Sequence, residues 1–217
     1  MTNVILIAAP AAGKGTEASK LREQYNMEHI STGDLLRNAV SKGDKRGNMI
    51  NELISDGKFV SDEIVLELLK EKILGPSCDN GYILDGFPRN IEQAISYDKI
   101  LEEINRDIGV VIVLDVDKEI AKSRILGRYS CSKCGKVYNI NNPEMIPMNE
   151  GLCDICNMEL TRRSDDNPDT YEERYNAYLQ KTEPLIAYYD KKGIVYHVDA
   201  SGSAEETHKQ VVKVLGE

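Results

Sequence analysis

Residues 4–16 read Val4-Ile-Leu-Ile-Ala-Ala-Pro-Ala-Ala-Gly-Lys-Gly-Thr16, a short apolar run that ends in small residues and a lysine. Such a run, bounded by Pro and Gly, is typical of a buried strand in a parallel sheet, and residues 17–24 have the pattern of a following helix. A helix that starts near Gly13 directs unpaired backbone N–H groups and its positive dipole end towards an anion, and Lys14 adds a mobile positive charge. The stretch therefore predicts a strand, a phosphate-binding loop and a helix.

The match to the usual phosphate-loop pattern of Gly, four residues, Gly, Lys and Ser or Thr is imperfect. Ala8 occupies the first glycine position, Ala11 fills a loop position that is often glycine, and Gly15 separates Lys14 from Thr16. If either alanine position needs a positive φ, the alanine costs on the order of 1 kcal/mol in strain. An ordinary tight turn between a strand and a helix is the alternative interpretation.

Length and composition limit the class of protein. A chain of 217 residues fits one large domain or a core with small insertions. The formal net charge of -9 argues against a general nucleic-acid or membrane-surface binder, because those need a broad positive potential. The longest apolar runs are too short to span a membrane, and no basic segment of a signal peptide precedes the first one. We therefore expect a soluble, cytoplasmic protein.

Two further segments combine cap residues, arginines and a carboxylate. In His29-Ile-Ser-Thr-Gly-Asp-Leu-Leu-Arg37 a helix is predicted to start after the Ser-Thr pair, with Arg37 one turn inside it. Gly81-Tyr-Ile-Leu-Asp-Gly-Phe-Pro-Arg89 reads as a buried strand that ends in Asp85, which can hold Mg²⁺ through water. Arg89 is suited to a phosphate. Taken singly, each of these residues could equally be an ordinary surface residue.

Four of the five cysteines form two C-x₂-C pairs, Cys131-Ser-Lys-Cys134 and Cys153-Asp-Ile-Cys156. Each pair supplies two thiolates on a tight turn, so the four predict a structural Zn²⁺ in a small lobe that has little apolar core of its own. Disulfides are the competing interpretation and would need an oxidising compartment. Cys78 stands apart and is expected to be an inert buried thiol.

The remaining pattern alternates helices and strands. Val110–Asp115 reads as a buried strand, residues 119–126 as a helix, and Pro168 as the first turn of a long helix that runs to about Lys191. Residues 45–75 predict two helices broken at residues 56–62, where Phe59 and Val60 could fill the core or line a base pocket. A strand over residues 193–199 and a helix over residues 204–215 close the chain.

Five segments in the same order resemble an adenylate kinase of the long bacterial type. The segments are Gly13-Lys-Gly-Thr16, Ser31-Thr-Gly-Asp34 with Arg37, Leu84-Asp-Gly-Phe-Pro-Arg89 with Gln93, the four-cysteine region after Arg128, and residues 161–174 with Arg163 and Arg174. The resemblance implies an α/β fold with a five-stranded parallel sheet flanked by helices. It also implies a core of residues 1–30, 61–126 and 165–217, a helical AMP-binding insertion at 31–60 and a zinc-binding lid at 127–164.

The resemblance further implies a set of site residues, a reversible Mg²⁺-dependent phosphoryl transfer from ATP to AMP, and a monomer that binds no nucleic acid. The ATP-binding residues would be Ala11, Ala12, Gly13, Lys14, Gly15, Thr16, Arg128, Val137, Tyr138 and Gly202. The AMP-binding residues would be Thr32, Arg37, Lys58, Phe59, Val60, Gly86, Phe87, Pro88, Arg89, Gln93, Arg163 and Arg174. The catalytic residues would be Lys14, Arg37, Arg89, Arg128, Arg163, Arg174 and Asp85.

Three alternatives stay open at the level of sequence. A kinase for UMP or CMP is one, although Thr32 and Gln93 match positions that favour adenine. A nucleotide-binding protein with weakened catalysis is another, motivated by Ala8 and Ala11. A zinc-dependent nucleic-acid binder is the third, and the acidic charge of the chain disfavours it. Tyr129 also departs from the second arginine that often follows the lid arginine in this family.

Overall fold

A computed structural model describes residues 2–55, 60–163 and 166–216. In chain order the strands and helices are β1 (Val4–Ala8), α1 (Lys14–Tyr25), β2 (Glu28–Ser31), α2 (Thr32–Ser41), α3 (Lys45–Ser55), α4 (Asp62–Ile73), β3 (Tyr82–Asp85), α5 (Ile91–Glu103), β4 (Val110–Asp115), α6 (Lys118–Leu126), β5 (Arg128–Cys131), β6 (Val137–Asn139), β7 (Leu160–Thr161), α7 (Pro168–Ala177), α8 (Pro184–Asp190), β8 (Val195–Asp199) and α9 (Ala204–Val214). Short 3₁₀ turns lie at Pro76–Cys78 and Pro143–Met145.

Five parallel strands form the central sheet in the order β2-β3-β1-β4-β8. Successive side chains of β1 point to opposite faces, so Ile5 and Ile7 enter one buried cluster and Val4, Leu6 and Ala8 enter the other. Full burial of an Ile or Leu side chain contributes roughly 1.5–3 kcal/mol, which explains why the strands are continuous apolar runs. All five carboxyl ends lie along one edge of the sheet, where ligands bind in folds of this kind.

The structure confirms the predicted α/β class and the five-stranded parallel sheet. The predicted long helix after Pro168 differs in one respect, because a π-helical segment, Tyr178–Thr182, separates α7 from α8. Pro184 follows this segment and cannot donate a backbone N–H, so a regular α-helical ladder cannot run through it. The predicted single helix is therefore divided into two shorter α-helices, α7 and α8.

A second, three-stranded antiparallel sheet, in the order β6-β5-β7, carries the cysteine pairs. It begins directly after α6, whose last turn would otherwise leave carbonyl groups unpaired. N–H donors from the small sheet and its flanking residues form hydrogen bonds with these carbonyl oxygens. The pairs are Asn141 Nδ2 with Ser123 O at 2.8 Å, Asn139 Nδ2 with Arg124 O at 2.9 Å, Arg162 Nη2 with Leu126 O at 2.5 Å, and Ile140 N with Gly127 O at 2.9 Å.

Gly127 is the residue at which α6 passes into β5. A Cβ added there would lie 2.3 Å from Asn139 Oδ1, so only glycine allows the asparagine to reach α6. Close approach rather than backbone conformation is the reason for glycine here. In the described part of the chain, no helix combines the length and the apolar character needed to cross a bilayer.

Candidate functional site: a phosphate-binding cleft and a four-cysteine cluster

The phosphate loop lies between the carboxyl end of β1 and the start of α1. Gly13 is the N-cap of α1, in the left-handed conformation with φ of 103°, and provides no side chain to pair the first N–H groups of the helix. Those groups and the helix dipole therefore face the cleft as an anion site. Lys14 Nζ folds back over the loop and donates to Ala8 O at 2.8 Å.

The two alanines of the loop differ in backbone conformation. Ala11 has φ of 64°, in the left-handed region that alanine adopts only with strain. Ala8 is the last residue of β1, is 5% exposed and packs in the core. The strain that a positive φ would cause therefore applies to Ala11 and does not arise at Ala8, which is part of strand β1. The loop still takes the left-handed turn at Ala11.

Asp85 ends β3 beside the phosphate loop and lies between two positively polarised neighbours. His29 Nε2 is 3.4 Å from Asp85 Oδ2. Burial acts to raise the pKa of Asp85, but the hydrogen bond with His29 and the charge of Lys14 outweigh burial, so the pKa is lowered. Burial lowers the pKa of Lys14, and the Asp85 carboxylate partly offsets that effect. The two charges stabilise each other at the edge of the sheet.

A cleft of about 370 Å³ brings together segments that are far apart in sequence. It collects positive charge from the phosphate loop, from β5, and from both ends of the 163–174 segment. The predicted residues that line it are Ala11, Ala12, Gly13, Lys14, Gly15, Thr16, Asp85, Arg128, Val137, Arg163, Arg174 and Gly202. Most of the predicted ATP site and the predicted transfer arginines therefore share one cavity.

Arg128 is held at the cleft by a buried carboxylate. Its Nε and Nη2 donate to the two carboxylate oxygens of Asp166 at 2.8 and 2.5 Å. The Asp166 side chain is fully buried, and that of Arg128 is 18% exposed. A two-pronged pair of this kind fixes the guanidinium plane, so Arg128 is oriented before any ligand binds.

A second group of predicted residues surrounds Arg89. Its Nη2 donates to Thr32 Oγ1 at 3.2 Å and its Nε donates to Gly86 O at 2.7 Å. Gln93 accepts from Arg89 N at 2.7 Å and donates to Asp62 at 2.7 Å. Gly86 directly follows Asp85, which lines the cleft together with the phosphate loop, so this group lies near the loop.

The other predicted AMP-site residues are placed less closely together. Arg37 is mostly exposed and pairs with Asp34 at 2.6 Å, one turn back along α2. Phe87 is buried against Tyr97 in a T-shaped contact, so it belongs to the core beneath the site. Pro88 is buried and Val60 is half-buried against the core. Lys58 and Phe59 lie outside the described residues.

Sequence reasoning missed Arg124 and the asparagines of the cleft wall. The Arg124 guanidinium donates to the carbonyls of Ala200, Ser201 and Gly202 at 2.7, 3.0 and 2.9 Å, and so holds the loop before α9 against the cleft. Asn139 also lines the cleft. Arg124 lies one helical turn before Arg128, and that spacing was the signal available in the sequence.

The four paired cysteines come together at the small sheet. Their sulfur atoms all lie within 4.8 Å of one another. A tetrahedral Zn²⁺ with Zn–S bonds of about 2.3 Å needs sulfur atoms roughly 3.8 Å apart, so a small contraction would fit the ion. Each pair is followed by a residue with positive φ, Gly135 at 74° and Asn157 at 52°, which closes the two turns alike. Cys78 is buried elsewhere, as expected.

The Val137–Tyr138 pair splits between two surroundings. Val137 lines the cleft, whereas Tyr138 is 1% exposed and packs with Cys131 and Cys153. The structure therefore does not bring the Tyr138 side chain to the cleft, although the resemblance places Tyr138 among the ATP-binding residues. Adjacent residues on a strand point to opposite faces, which is the physical reason.

The parallel sheet, the phosphate loop and the arginine-lined cleft define a phosphate-transferring α/β protein of the nucleotide kinase class. Comparisons with known proteins narrow this class. The adenylate kinase family matches residues 6–194. An adenylate kinase of Archaeoglobus fulgidus is 43% identical over 98% of this chain and 97% of its own length. Adenylate kinases of Acetivibrio thermocellus (43% identical; 98% and 97% covered) and Thermotoga maritima (38% identical; 100% and 98% covered) are similarly close.

The chain belongs to the adenylate kinase family. The match spans the phosphate loop, the Arg89 group and the four-cysteine region, and the relatives are covered almost end to end. The resemblance that the motifs indicated is therefore confirmed.

The two loop alanines give a matched pair for a stability test. We expect Ala11→Gly to raise the free energy of unfolding by about 1 kcal/mol, because glycine adopts positive φ without strain. Ala8→Gly should lower it by about 1 kcal/mol, because a buried methyl is lost and a strand residue becomes more flexible in the unfolded chain. Urea denaturation of both variants measures the two values. If the free energy of unfolding changes in the same direction in both variants, the assignment of strain to Ala11 is contradicted.

Acid titration tests the environment of Asp85. Its lowered pKa means that the ionised form stabilises the folded state at pH values above the unfolded pKa of roughly 3.9, and that this contribution is lost as the pH falls through the folded pKa. Asp85→Asn should therefore be less stable than the wild type at pH 7, and the difference should shrink in acid. Asp107→Asn, at an exposed loop position, is the control. A constant difference from pH 7 to pH 3 for Asp85→Asn would refute the interpretation.

Proposed function

We propose that this protein is an adenylate kinase that transfers the terminal phosphoryl group of ATP to AMP, reversibly and with Mg²⁺, to give two molecules of ADP. The observation that carries the proposal is the single cleft that holds the phosphate loop, Asp85 and Arg128, Arg163 and Arg174. Phosphoryl transfer requires charge neutralisation around the moving group more than it requires covalent chemistry.

On the donor side, the N–H groups at the start of α1 and Lys14 would bind the β- and γ-phosphates of ATP. Among the described residues, the hydrogen bonds of Lys14 Nζ go to backbone carbonyls, so it can turn from Ala8 O to a phosphate without breaking an ion pair with any of them. Val137 and the loop at Gly202 line the same cleft and would contact the nucleoside part of ATP. Ala11 keeps the left-handed turn, which argues against a loop that has lost its catalytic geometry.

On the acceptor side, Arg89 and Arg37 would bind the AMP phosphate. Arg89 is already positioned by its hydrogen bonds to Gly86 O and Thr32 Oγ1. Thr32 and Gln93 would face the base, and Gln93 links the Arg89 backbone to Asp62 on α4. Residues 31–60 form the proposed AMP-binding insertion, to which Lys58, Phe59 and Val60 would contribute.

The attacking group is an oxygen of the AMP phosphate, which is already anionic, so the reaction needs no general base. The P–O bond from this oxygen to the γ-phosphorus forms as the bond to the β-phosphate oxygen breaks, and the electron pair leaves on ADP. Arg128, Arg163 and Arg174 would share the charge of the transferring group. Closure of residues 127–164 over the cleft would exclude water, which could otherwise accept the phosphoryl group.

Asp85 and Thr16 are oxygen donors that line the cleft, which is the donor chemistry that Mg²⁺ prefers. Bound there through water, Mg²⁺ would neutralise charge on the donor phosphate oxygens. The lowered pKa of Asp85, caused by the His29 hydrogen bond and the Lys14 charge against the effect of burial, keeps its carboxylate ionised for this role.

The four cysteines fit a structural zinc. Cys131, Cys134, Cys153 and Cys156 would fill all four positions of a tetrahedral ion, which leaves none for a catalytic water. Within the described residues, the buried cluster of this region consists of Cys131, Tyr138 and Cys153, so apolar packing alone stabilises it weakly. We expect a cytoplasmic monomer that acts on free nucleotides.

An assay of ADP formation from ATP with AMP, UMP or CMP tests the activity directly. We expect rapid turnover that is selective for AMP. Lys14→Met should lower kcat/KM at least about 100-fold, because a preorganised positive group at the transferring phosphate is lost. Lys20→Met, in which a lysine on the same helix that pairs with Glu205 is changed, should retain activity. Selective turnover of UMP or CMP would reject AMP as the acceptor, and no turnover would leave only a nucleotide-binding protein.

Metal analysis and melting test the structural zinc. Mass spectrometry of the native protein should find one zinc per chain, and chelation should lower the melting temperature because the metal supplies folding energy to a region with little core. Cys134→Ser should lose the zinc. Cys78→Ser, outside the cluster, should keep it. A melt that chelation leaves unaltered would exclude a structural role for the metal.

A further inference from the structure

Tyr138 is buried, and its hydroxyl contacts Cys153, a proposed zinc ligand. Its oxygen is 3.4 Å from Cys153 Sγ, within hydrogen-bond range for sulfur, and 2.8 Å from Asp154 N. The Asp154 N–H must donate to the phenol oxygen, because an amide nitrogen cannot accept. The single phenol proton is therefore free to point to the sulfur, and the hydroxyl is a donor to Cys153.

A donor at this point matches the charge of the site. Four thiolates around one Zn²⁺ carry a net charge of −2, and Cys131 and Cys153 are each only 2% exposed. Water cannot reach these two sulfurs well, so hydrogen bonds from the protein must stabilise their charge. Cys134, in contrast, is exposed to solvent.

Neighbouring groups hold Tyr138 in this position. Lys136 Nζ lies 4.9 Å from the centre of the Tyr138 ring and 3.2 Å from Asp154 Oδ2. Lys136 therefore contacts both the Tyr138 ring and Asp154, whose backbone N–H donates to the Tyr138 hydroxyl. This arrangement links β6, at the cleft, to the second cysteine pair.

We infer that Tyr138 belongs to the metal site rather than to the nucleotide site, and that its hydroxyl holds Cys153 as a zinc-binding thiolate and slows zinc loss. The inference rests on the proposed zinc site. Partners that orient metal ligands through hydrogen bonds commonly change metal affinity by about 10- to 100-fold. The side chain faces away from the cleft, so the affinity for ATP does not depend on it.

Tyr138→Phe removes the hydroxyl and keeps the ring. Tyr129→Phe is the matched control, because Tyr129 lies directly opposite Tyr138 in the β5–β6 pairing and its hydroxyl makes no hydrogen bond to any described residue. Zinc transfer from each full-length protein to a chromogenic chelator measures metal retention. We expect about tenfold faster release from Tyr138→Phe, wild-type release from Tyr129→Phe, and an unchanged KM for ATP in Tyr138→Phe.

Cobalt substitution gives a reading that does not depend on folding stability. The thiolate-to-cobalt charge-transfer band should move to lower energy in Tyr138→Phe, because a sulfur that loses a hydrogen bond is a stronger electron donor. Unchanged zinc release together with an unchanged cobalt band would overturn the inference and leave the zinc site standing. A raised KM for ATP with normal zinc retention would return Tyr138 to the nucleotide site. A wild-type protein without zinc would instead remove the metal proposal and this inference together.

Discussion

The first turn of α1 has N–H groups that no residue in the described ranges pairs. Gly13 offers no capping side chain, in contrast to Ser31, Asn90 and Ser203, which cap α2, α5 and α9 with side-chain oxygens. The unpaired end lies at the carboxyl edge of a parallel sheet, where β1 and β3 deliver Lys14 and Asp85 to the same place. Lys14, Asp85 and the arginines of the cleft lie around this helix end, where the proposed phosphate would pair the free N–H groups.

The cleft also explains how an acidic chain binds polyphosphates. The net charge of −9 is spread over the whole protein, whereas Lys14, Arg128, Arg163 and Arg174 converge on one cavity. Like charges at short range repel, so their approach needs counter-charges that do not fill the cavity. Asp166 pairs with Arg128 from the protein side and Asp85 faces Lys14, so the positive groups stay close together and still present their donors inward.

Local motifs were predictable from the sequence because the residues that determine them are adjacent. The phosphate loop, the caps of α2 and the two cysteine turns all depend on neighbours in the chain. The strain at Ala11 was not assignable, because the sequence names two alanines and only the path of the loop decides which one takes positive φ. The direction of the Tyr138 side chain was not predictable for a similar reason. A shift of one residue along β6 turns a side chain from the face at the cleft to the face at the cysteine cluster. Arg124 was missed because its partners are backbone carbonyls about 76 residues away.

The hydrogen bonds that close the end of α6 have a mechanical meaning. Four carbonyls at the end of α6 and its C-cap accept hydrogen bonds from residues of the small sheet and its flanks, so several contacts besides the backbone at Gly127 span this joint. A cover that swings over the cleft cannot fold at this joint without breaking those bonds. A movement of the proposed lid that kept those bonds would also move α6, whose Arg124 guanidinium is hydrogen-bonded to the carbonyls of residues 200–202 at the cleft wall. Such a movement would therefore also displace the contacts between Arg124 and residues 200–202.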